Sequence, residues 1–272
     1  MNTCGKPWFK LIFAILPLVY FISSCNDIKM NSQWCNREIF IDGMSFDWEN
    51  ILMNFEYKKI NLGILNDDAY LYICLVPLDE VIIQQVMMMG FTVWLTAESD
   101  KDFKLGICYP VGIGNNRRLL KDIPIEQNRE ELKRIFEESL NEIMIISSNK
   151  GDTITIPVEN ISSVEVRVGT KNERMVYELK IPLIKSSDYP YAIGAFAGQQ
   201  IEIEFLTGEL KKPMMNKSLR NEVSRPDRDS GGKGMRPGGG RRQGNNMEHH
   251  DMQQPLKMKI KVKLADKINA DN

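Results

Sequence analysis

Histidine, a common acid–base catalyst and metal ligand, is confined to one short stretch of this sequence. The only two histidines, His249 and His250, stand together in Glu248-His249-His250-Asp251. This quartet has metal-ligand chemistry, but it lies in a Gly- and Arg-rich stretch that we expect to be disordered. Weak or adventitious metal contact is therefore the favoured interpretation. No histidine remains on the expected folded core for a catalytic triad or for a haem ligand pair.

Carboxylates are the remaining candidates for catalysis. Residues 25–210 contain 29 Asp and Glu, and glycoside hydrolysis needs only two acids at the right separation. A phosphate-binding loop is not indicated, because Gly112-Ile113-Gly114 lacks the continuation into a helix that such loops have. Because neither a histidine on the expected core nor a phosphate loop is indicated, we predict a protein that is not an enzyme. A carboxylate pair leaves glycoside hydrolysis as a further possibility.

Two tryptophans, Trp48 and Trp94, are candidates for a glycan platform. The apolar face of a pyranose stacks on an exposed flat ring, while nearby amides and carboxylates bond the hydroxyls. Both tryptophans stand in strand-forming motifs, so a buried position in the core is the alternative for each. Trp34 precedes the predicted domain and is expected to pack near the linker or the membrane.

The first 24 residues have the order of a signal peptide. Lys6 and Lys10 precede an apolar run over residues 11–22, which is shorter than the ~20 residues that a membrane-spanning helix needs. Ile22-Ser23-Ser24-Cys25 then resembles a bacterial lipobox. The resemblance implies acyl chains such as palmitate on Cys25, and two or more chains form a stable anchor. We expect a lipoprotein of the cell envelope, at the outer membrane and facing the periplasm or the surface, with an ordinary cleaved signal peptide as the alternative.

Charge is distributed unevenly along the chain. Residues 25–210 hold 18 Lys and Arg against 29 Asp and Glu, whereas residues 211–272 hold 15 against 7. A basic segment can bind nucleic acid, but an exported protein does not ordinarily meet it. We therefore expect no nucleic-acid partner, and the anionic candidates are lipid, glycan or the acidic body of the protein itself.

Hydrophobic periodicity predicts about ten strands and two helices, without regular alternation of the two. This pattern favours a mainly β fold, an antiparallel, jelly-roll-like β-sandwich. The predicted helices cover residues 79–89, ended by Gly90, and residues 128–143. The predicted strands are 38–42, two within 51–65, 69–76, 91–97, 104–109, 153–158, 163–168, 174–183, 201–206 and 257–264.

The predicted domain organisation follows from these elements. A strand with alternating lysines at its end indicates that the Gly-, Arg- and Met-rich stretch before it is a disordered insertion rather than a tail. The boundaries are 1–24 for the signal peptide, 25–36 for a lipid-anchored linker, 37–210 for the sandwich, 211–255 for the insertion and 256–268 for the final strand.

The three cysteines that remain after Cys25 are Cys35, Cys74 and Cys108. An odd number excludes a complete disulfide framework. Burial as small apolar side chains is the favoured interpretation for Cys74 and Cys108, and a bridge between them is left open.

Three segments resemble one family of β-sandwich: residues 39–48 (IFIDGMSFDW), 65–75 (LNDDAYLYICL) and 90–95 (GFTVWL). They are similar to family 9 carbohydrate-binding modules, which are related in architecture to DOMON domains, and to lipoproteins of the Bacteroidetes. The resemblance covers residues 36–210 and the final strand. It implies a jelly-roll-like sandwich and, in some members, sugar binding between aromatic side chains, with calcium stabilising loops.

The resemblance implies calcium only weakly for this chain. Asp67 and Asp68 have suitable oxygens, but two adjacent acids without a ligand loop are better explained as turn formers. We expect no firm metal site and no other cofactor.

The favoured function is a lipid-anchored, non-catalytic sandwich that binds a glycan or an envelope partner. A structural or assembly accessory of an outer-membrane complex, without a glycan site, is the alternative, and a glycoside hydrolase comes third. An exposed tryptophan beside polar groups favours glycan binding. A cleft with two carboxylates ~5 to 9.5 Å apart favours a hydrolase, and a flat apolar patch with neither favours a protein partner.

Overall fold

Two β-sheets pack face to face and enclose one large apolar core. The computed structural model describes residues 28–115, 129–148, 152–161, 163–171, 174–208 and 254–267. The predicted fold class, a mainly β sandwich with two short helices, is confirmed, with strand pairing that is antiparallel except at two places. Cys25, both histidines and nearly all of the predicted insertion lie outside the described residues.

The first sheet, called sheet A, has seven strands. Its two strands near one edge alternate buried and accessible residues, so one face meets the core and the other meets solvent. The order across the sheet is β1 (Ile28–Asn31), β13 (Lys257–Lys263), β12 (Gln200–Thr207), β6 (Phe91–Ala97), β7 (Leu105–Cys108), β8 (Glu142–Ser147) and β9 (Thr153–Pro157).

The second sheet, called sheet B, is buried on both faces of its central strand. Leu71, Ile73 and Leu75 point into the main core, whereas Tyr72 and Cys74 join a second apolar cluster on the outer side, as the alternation predicts. The order is β10 (Glu165–Lys171), β11 (Arg174–Pro182), β5 (Tyr70–Pro77), β4 (Ile60–Asn66) and β2 (Gln33–Trp34), with β3 (Met53–Phe55) also paired to β4.

Two helices contribute side chains to the main core. Helix α1 (Glu80–Met89) begins where the Asp79 carboxylate accepts a hydrogen bond from the Val81 amide, and it ends at Gly90, whose φ is +82°. Helix α2 (Arg129–Ser139) is shorter than predicted. Among the described residues, no helix is long and apolar enough to cross a bilayer.

The predicted continuation of the second helix through residue 143 is wrong. Residues 142–147 form strand β8, which pairs with β7 on one side and β9 on the other. Ile143 and Ile145 are buried in the main core at a spacing of two. Their β-branched side chains suit a strand, and pairing on both sides outweighs the helical spacing of the preceding residues.

Residues 35–52, here called the strap, cover the outer face of sheet B. The strand predicted at 38–42 is not formed; this part of the chain is irregular and leads into a 3₁₀ turn, Phe46–Trp48. Ile39 and Trp48 of the strap pack on Tyr72, Cys74 and other residues of the sheet. The strap therefore hides sheet B, whereas the outer face of sheet A carries accessible strand residues.

The predicted linker boundary is wrong, because residues 28–34 belong to the sandwich. Strand β1 pairs in parallel with β13 of sheet A, and β2 pairs in parallel with β4 of sheet B. The chain crosses between the sheets at Ser32. The buried Asn66 side chain joins this crossing to the C-terminal end of β13, because its amide accepts from the Ser32 hydroxyl and the Ala265 amide and donates to the Ala265 carbonyl.

Cys74 and Cys108 are free and buried, as the favoured interpretation has it. Cys74 is part of the cluster under the strap on sheet B, and Cys108 is in sheet A. Packed sheets are about 10 Å apart, and a disulfide needs Cα atoms within about 7 Å. The bridge that the sequence leaves open is therefore not made in this fold.

Candidate functional site on the outer face of sheet A

Trp48 is not a glycan platform, because its ring has no exposed surface. Its benzo edge lies on Gly63 of β4, where an added Cβ would come within 2.8 Å of Cε3. Its indole N–H donates to the Glu178 carboxylate over 2.6 Å. This contradicts the expectation for Trp48 and selects the alternative, a buried core residue that holds the strap on sheet B.

Glu178 on β11 is fully buried under the strap. Besides the bond from Trp48, its other oxygen accepts from the Asp42 amide over 3.0 Å and from the Gly43 amide over 2.6 Å. Burial raises the pKa of this carboxyl above its ordinary value, and the three donors act in the opposite direction. A raised pKa is typical of a catalytic acid, but both oxygens are already bonded inside the protein, so Glu178 is a structural group.

Trp94 lies on the opposite side of the sandwich, on the outer face of sheet A. In β6 the residues at 91, 93, 95 and 97 are buried in the main core, so Trp94 points away from it. Its six-membered ring lies flat on Gly106 of β7, where an added Cβ would come within 2.9 to 3.0 Å of three ring carbons. The residue is only half-buried. The glycine therefore supports one face of the indole and leaves the side chain accessible from solvent.

Charged pairs flank the Trp94 indole. Glu204 of β12 stands directly opposite Trp94 in the antiparallel register. Lys257 approaches the Glu204 carboxylate to 3.5 Å, and Lys259 approaches the Glu202 carboxylate to 2.8 Å, with both carboxylates largely shielded. We call the surface of Trp94, Glu202 and Glu204 the platform. It combines a supported indole with hydrogen-bonding groups whose positions are fixed by ion pairs.

A second indole lies at a corner cleft of about 430 Å³. Half-buried Trp34 lines it, together with Gln33, Lys263, Asp266 and Gly198. The sequence pattern does not indicate this cleft, because Trp34 precedes the predicted domain. The two strands around Ser32 that form the cleft are only four and two residues long. Strands of this length have no recognisable alternation, so no sequence signal could have revealed the cleft.

Asp67 and Asp68, the weak candidates for calcium, lie in the turn between β4 and β5. One Asp67 oxygen accepts from the Ala69 and Tyr70 amides and the other accepts from the Tyr72 hydroxyl, so the carboxylate closes its own turn. Calcium takes 6 to 8 oxygen ligands. Within the described ranges, no group of three or more acidic, His or Cys side chains is placed to hold a metal. The turn-forming role is therefore the one that the geometry supports.

Comparisons with known proteins identify no family for this chain. No protein-family model matches the sequence, and neither does any curated protein. Among the solved structures that match, three each align over 66% of the chain. A family 9 carbohydrate-binding module from Caldicellulosiruptor kristjanssonii in complex with glucose is 12% identical over 78% of its length (TM-score 0.33), and the module in complex with cellotriose is 13% identical over 76% (0.35). A candidate carbohydrate-binding protein from Bacteroides uniformis is 10% identical over 83% of its length (0.37). At these TM-scores the likeness carries no functional argument, which must come from the site itself.

Proposed function

We propose that this protein is a non-catalytic glycan-binding lipoprotein of the cell envelope and that the platform around Trp94 is its glycan site. The observation that carries the proposal is the half-buried Trp94 indole, which lies on Gly106 beside the ion-paired Glu202 and Glu204. An accessible aromatic ring next to polar groups is the arrangement that separates glycan binding from the other functions considered for this sequence.

The platform can bind a sugar without a large change of its own shape. The apolar face of a pyranose displaces water from the indole, and the adjacent carboxylates accept hydrogen bonds from the sugar hydroxyls. Because Lys257 and Lys259 already hold these carboxylates, little side-chain entropy is lost on binding.

Hydrolysis is less well supported than binding. A glycosidase acid needs a raised pKa and a free oxygen facing the substrate. Glu178, whose pKa is raised, has both oxygens bonded beneath the strap. Glu202 and Glu204 stand on the outer face of sheet A, and each is paired with a lysine of β13.

Replacing Trp94 with alanine is expected to weaken glycan binding at least tenfold, because the stacking surface is lost (~1.4 kcal/mol or more). The ligand is first found by screening residues 26–272 on an array of plant, host and bacterial glycans, and its affinity is then measured by calorimetry. Trp34→Ala is the matched control, since it removes a second half-buried indole elsewhere. Loss of binding in the Trp34 variant alone would assign the site to the corner cleft, and no binding across the array would refute the proposed function.

The lipid anchor is tested separately. We expect radiolabelled palmitate to enter the full-length protein in a bacterial host and Cys25→Ala to abolish both this label and fractionation with membranes. The reason is that acylation requires the thiol of the lipobox cysteine. An unchanged size and membrane fraction for Cys25→Ala would show that the protein is not a lipoprotein, whatever its glycan binding.

A further inference from the structure

Five lysines form a continuous row along one margin of sheet A. Lys29 of edge strand β1 and Lys257, Lys259, Lys261 and Lys263 of β13 all stand on the outer face, because the residues that alternate with them are packed into the main core. We call this row the cationic margin. The neighbouring strand β12 supplies two carboxylates to the same face, Glu202 and Glu204, which leaves a net charge of +3.

The register of the strands concentrates this charge rather than dispersing it. Lys29 stands directly beside Lys261 in the parallel pair β1–β13. Like charges directly opposite each other in a sheet destabilise it unless an anion is near. Lys29 itself is exposed on the edge strand. The β1 side of this positively charged margin therefore attracts external anions.

The margin lies next to the proposed lipid anchor. Strand β1 begins at Ile28, and Ile28 stands opposite Ile260, between Lys259 and Lys261. Cys25 is three residues before Ile28, and an extended chain covers at most ~3.6 Å per residue. The Cα of Cys25 is thus no more than ~11 Å from the Cα of Ile28, so acyl chains on Cys25 would bring the margin to the membrane surface.

We infer that the cationic margin binds anionic lipid headgroups and so orients the sandwich on the membrane, with β1 towards the bilayer. The inference rests on the lipid anchor of the proposed function for its tether and on charge complementarity for its occupant. Each lysine near an anionic membrane contributes ~1 kcal/mol, and the attraction acts within a Debye length of ~8 Å. A tether of ~11 Å holds the lysines near this range.

This orientation keeps the platform accessible. Trp94 is in β6, three strands away from β1 in sheet A. At ~4.8 Å between neighbouring strands, the indole is ~14 Å farther from the bilayer than the edge strand. With the membrane at edge strand β1, the Trp94 region of the outer face of sheet A therefore remains accessible. A glycan that lies along the membrane surface can reach the platform there.

The test measures binding to lipid without the anchor. The described fold begins at Ile28, so residues 26–272 retain every described residue while lacking Cys25. This chain is mixed with vesicles of phosphatidylcholine, alone or with 30% phosphatidylglycerol, and its partition is measured by sedimentation at about 0.15 M salt. Lys29→Gln/Lys263→Gln is compared with Lys58→Gln/Lys101→Gln, which removes the same charge from exposed or half-exposed residues away from the margin.

Partition into the anionic vesicles should fall about 10- to 25-fold in the Lys29/Lys263 variant and less than threefold in the control, since each lysine near the surface contributes about fivefold. Equal effects of the two pairs, or equal binding to neutral and anionic vesicles, would overturn the inference. So would self-association of the Lys29/Lys263 variant with unchanged lipid binding, which would mean that the lysines only protect a sheet edge. Binding to a soluble uronate polymer but not to vesicles would overturn it in favour of an anionic glycan. None of these results depends on whether Cys25 is acylated, which the palmitate experiment decides.

Discussion

Replacing Glu178 with alanine is expected to lower the free energy of unfolding by about 3 to 5 kcal/mol, because three donors, two of them buried, lose their acceptor at once. These donors are the Trp48 indole N–H and the amides of Asp42 and Gly43. All three belong to the strap, so the variant should release the strap from sheet B before the main core unfolds. The measurement is urea denaturation followed by tryptophan fluorescence, in wild type and in a Trp34→Phe/Trp94→Phe background where Trp48 dominates the signal of the sandwich.

Glu165 provides a matched control on the same sheet. Its carboxylate is half exposed and ion-paired with Lys180 over 2.6 Å. Exposed pairs of this kind contribute ~1 kcal/mol or less, so Glu165→Ala should change the stability only slightly. Equal effects of the Glu178 and Glu165 substitutions would refute the structural role assigned to Glu178.

Glu178→Gln should lower the free energy of unfolding by about 1 to 3 kcal/mol, less than Glu178→Ala. Glutamine keeps one acceptor oxygen but turns an NH₂ group towards donors.

Glu178→Gln should also change how the free energy of unfolding depends on pH. Burial raises the pKa of Glu178 in the folded protein, so between the ordinary glutamate value of about 4.3 and the raised native pKa the folded state binds more protons than the unfolded state. In that window stability falls as the pH rises, and below it the contribution is fully present. The difference in unfolding free energy between wild type and Glu178→Gln should therefore fall as the pH rises through this window. Stability curves of the two proteins that run parallel across it would contradict the prediction.

The positions of most strands follow from local pattern, because a strand with one buried face needs a side chain of the right polarity at every second residue. Strand β6 occupies the predicted residues 91–97, and the lysine row of β13 lies on the accessible face as the alternation indicates. The two faces of β5 are also as predicted, since a strand that is apolar throughout must be covered on both sides.

What covers β5 could not be predicted, because the periodic pattern within the strap, over residues 38–42, indicates a strand that does not form. Residues 38–42 alternate like a strand, yet the Asp42 and Gly43 amides bond to the Glu178 carboxylate, so this part of the strap is held by a side chain and not by a neighbouring strand. The signal for this arrangement is one acidic residue within the apolar strand β11, RMVYELKIP. A carboxylate at a buried strand position must accept hydrogen bonds from nearby donors, but its presence in the sequence does not indicate which segment supplies those donors.

The candidate site was half predictable for a related reason. Trp48 and Trp94 both lie on a glycine of a β-strand, Gly63 of β4 and Gly106 of β7 respectively. The difference between them is tertiary: Trp48 belongs to the strap, which packs its indole onto sheet B, whereas Trp94 is half-buried on the outer face of sheet A. The sequence therefore identifies both candidates, and the tertiary structure chooses between them.

The shared contact of glycine and indole gives a second prediction: a Gly→Ala substitution should destabilise the protein strongly at Gly63 and only slightly at Gly106. Gly63→Ala should lower the free energy of unfolding by about 2 to 4 kcal/mol: its Cβ would come within 2.8 Å of the Trp48 ring and 3.3 Å of Ile51. Trp48 is fully buried and bonded to Glu178, so it cannot move aside. The expected cost combines overpacking of the cluster with loss of that hydrogen bond.

Gly106→Ala places a Cβ equally close to an indole, at 2.9 Å from the Trp94 ring, but it should change the stability by less than about 1 kcal/mol. Trp94 is half-buried on an open face and can tilt towards solvent, and alanine restricts the unfolded chain more than glycine does. Neither glycine has a positive φ, so backbone strain does not enter the comparison. Because the tilted ring no longer lies flat beside Glu204, glycan affinity should fall in Gly106→Ala although the fold is intact. Denaturation curves of both variants, with calorimetry of the second, test this; equal destabilisation at the two positions would mean that Trp94 is held as firmly as Trp48 and is not an adaptable binding surface.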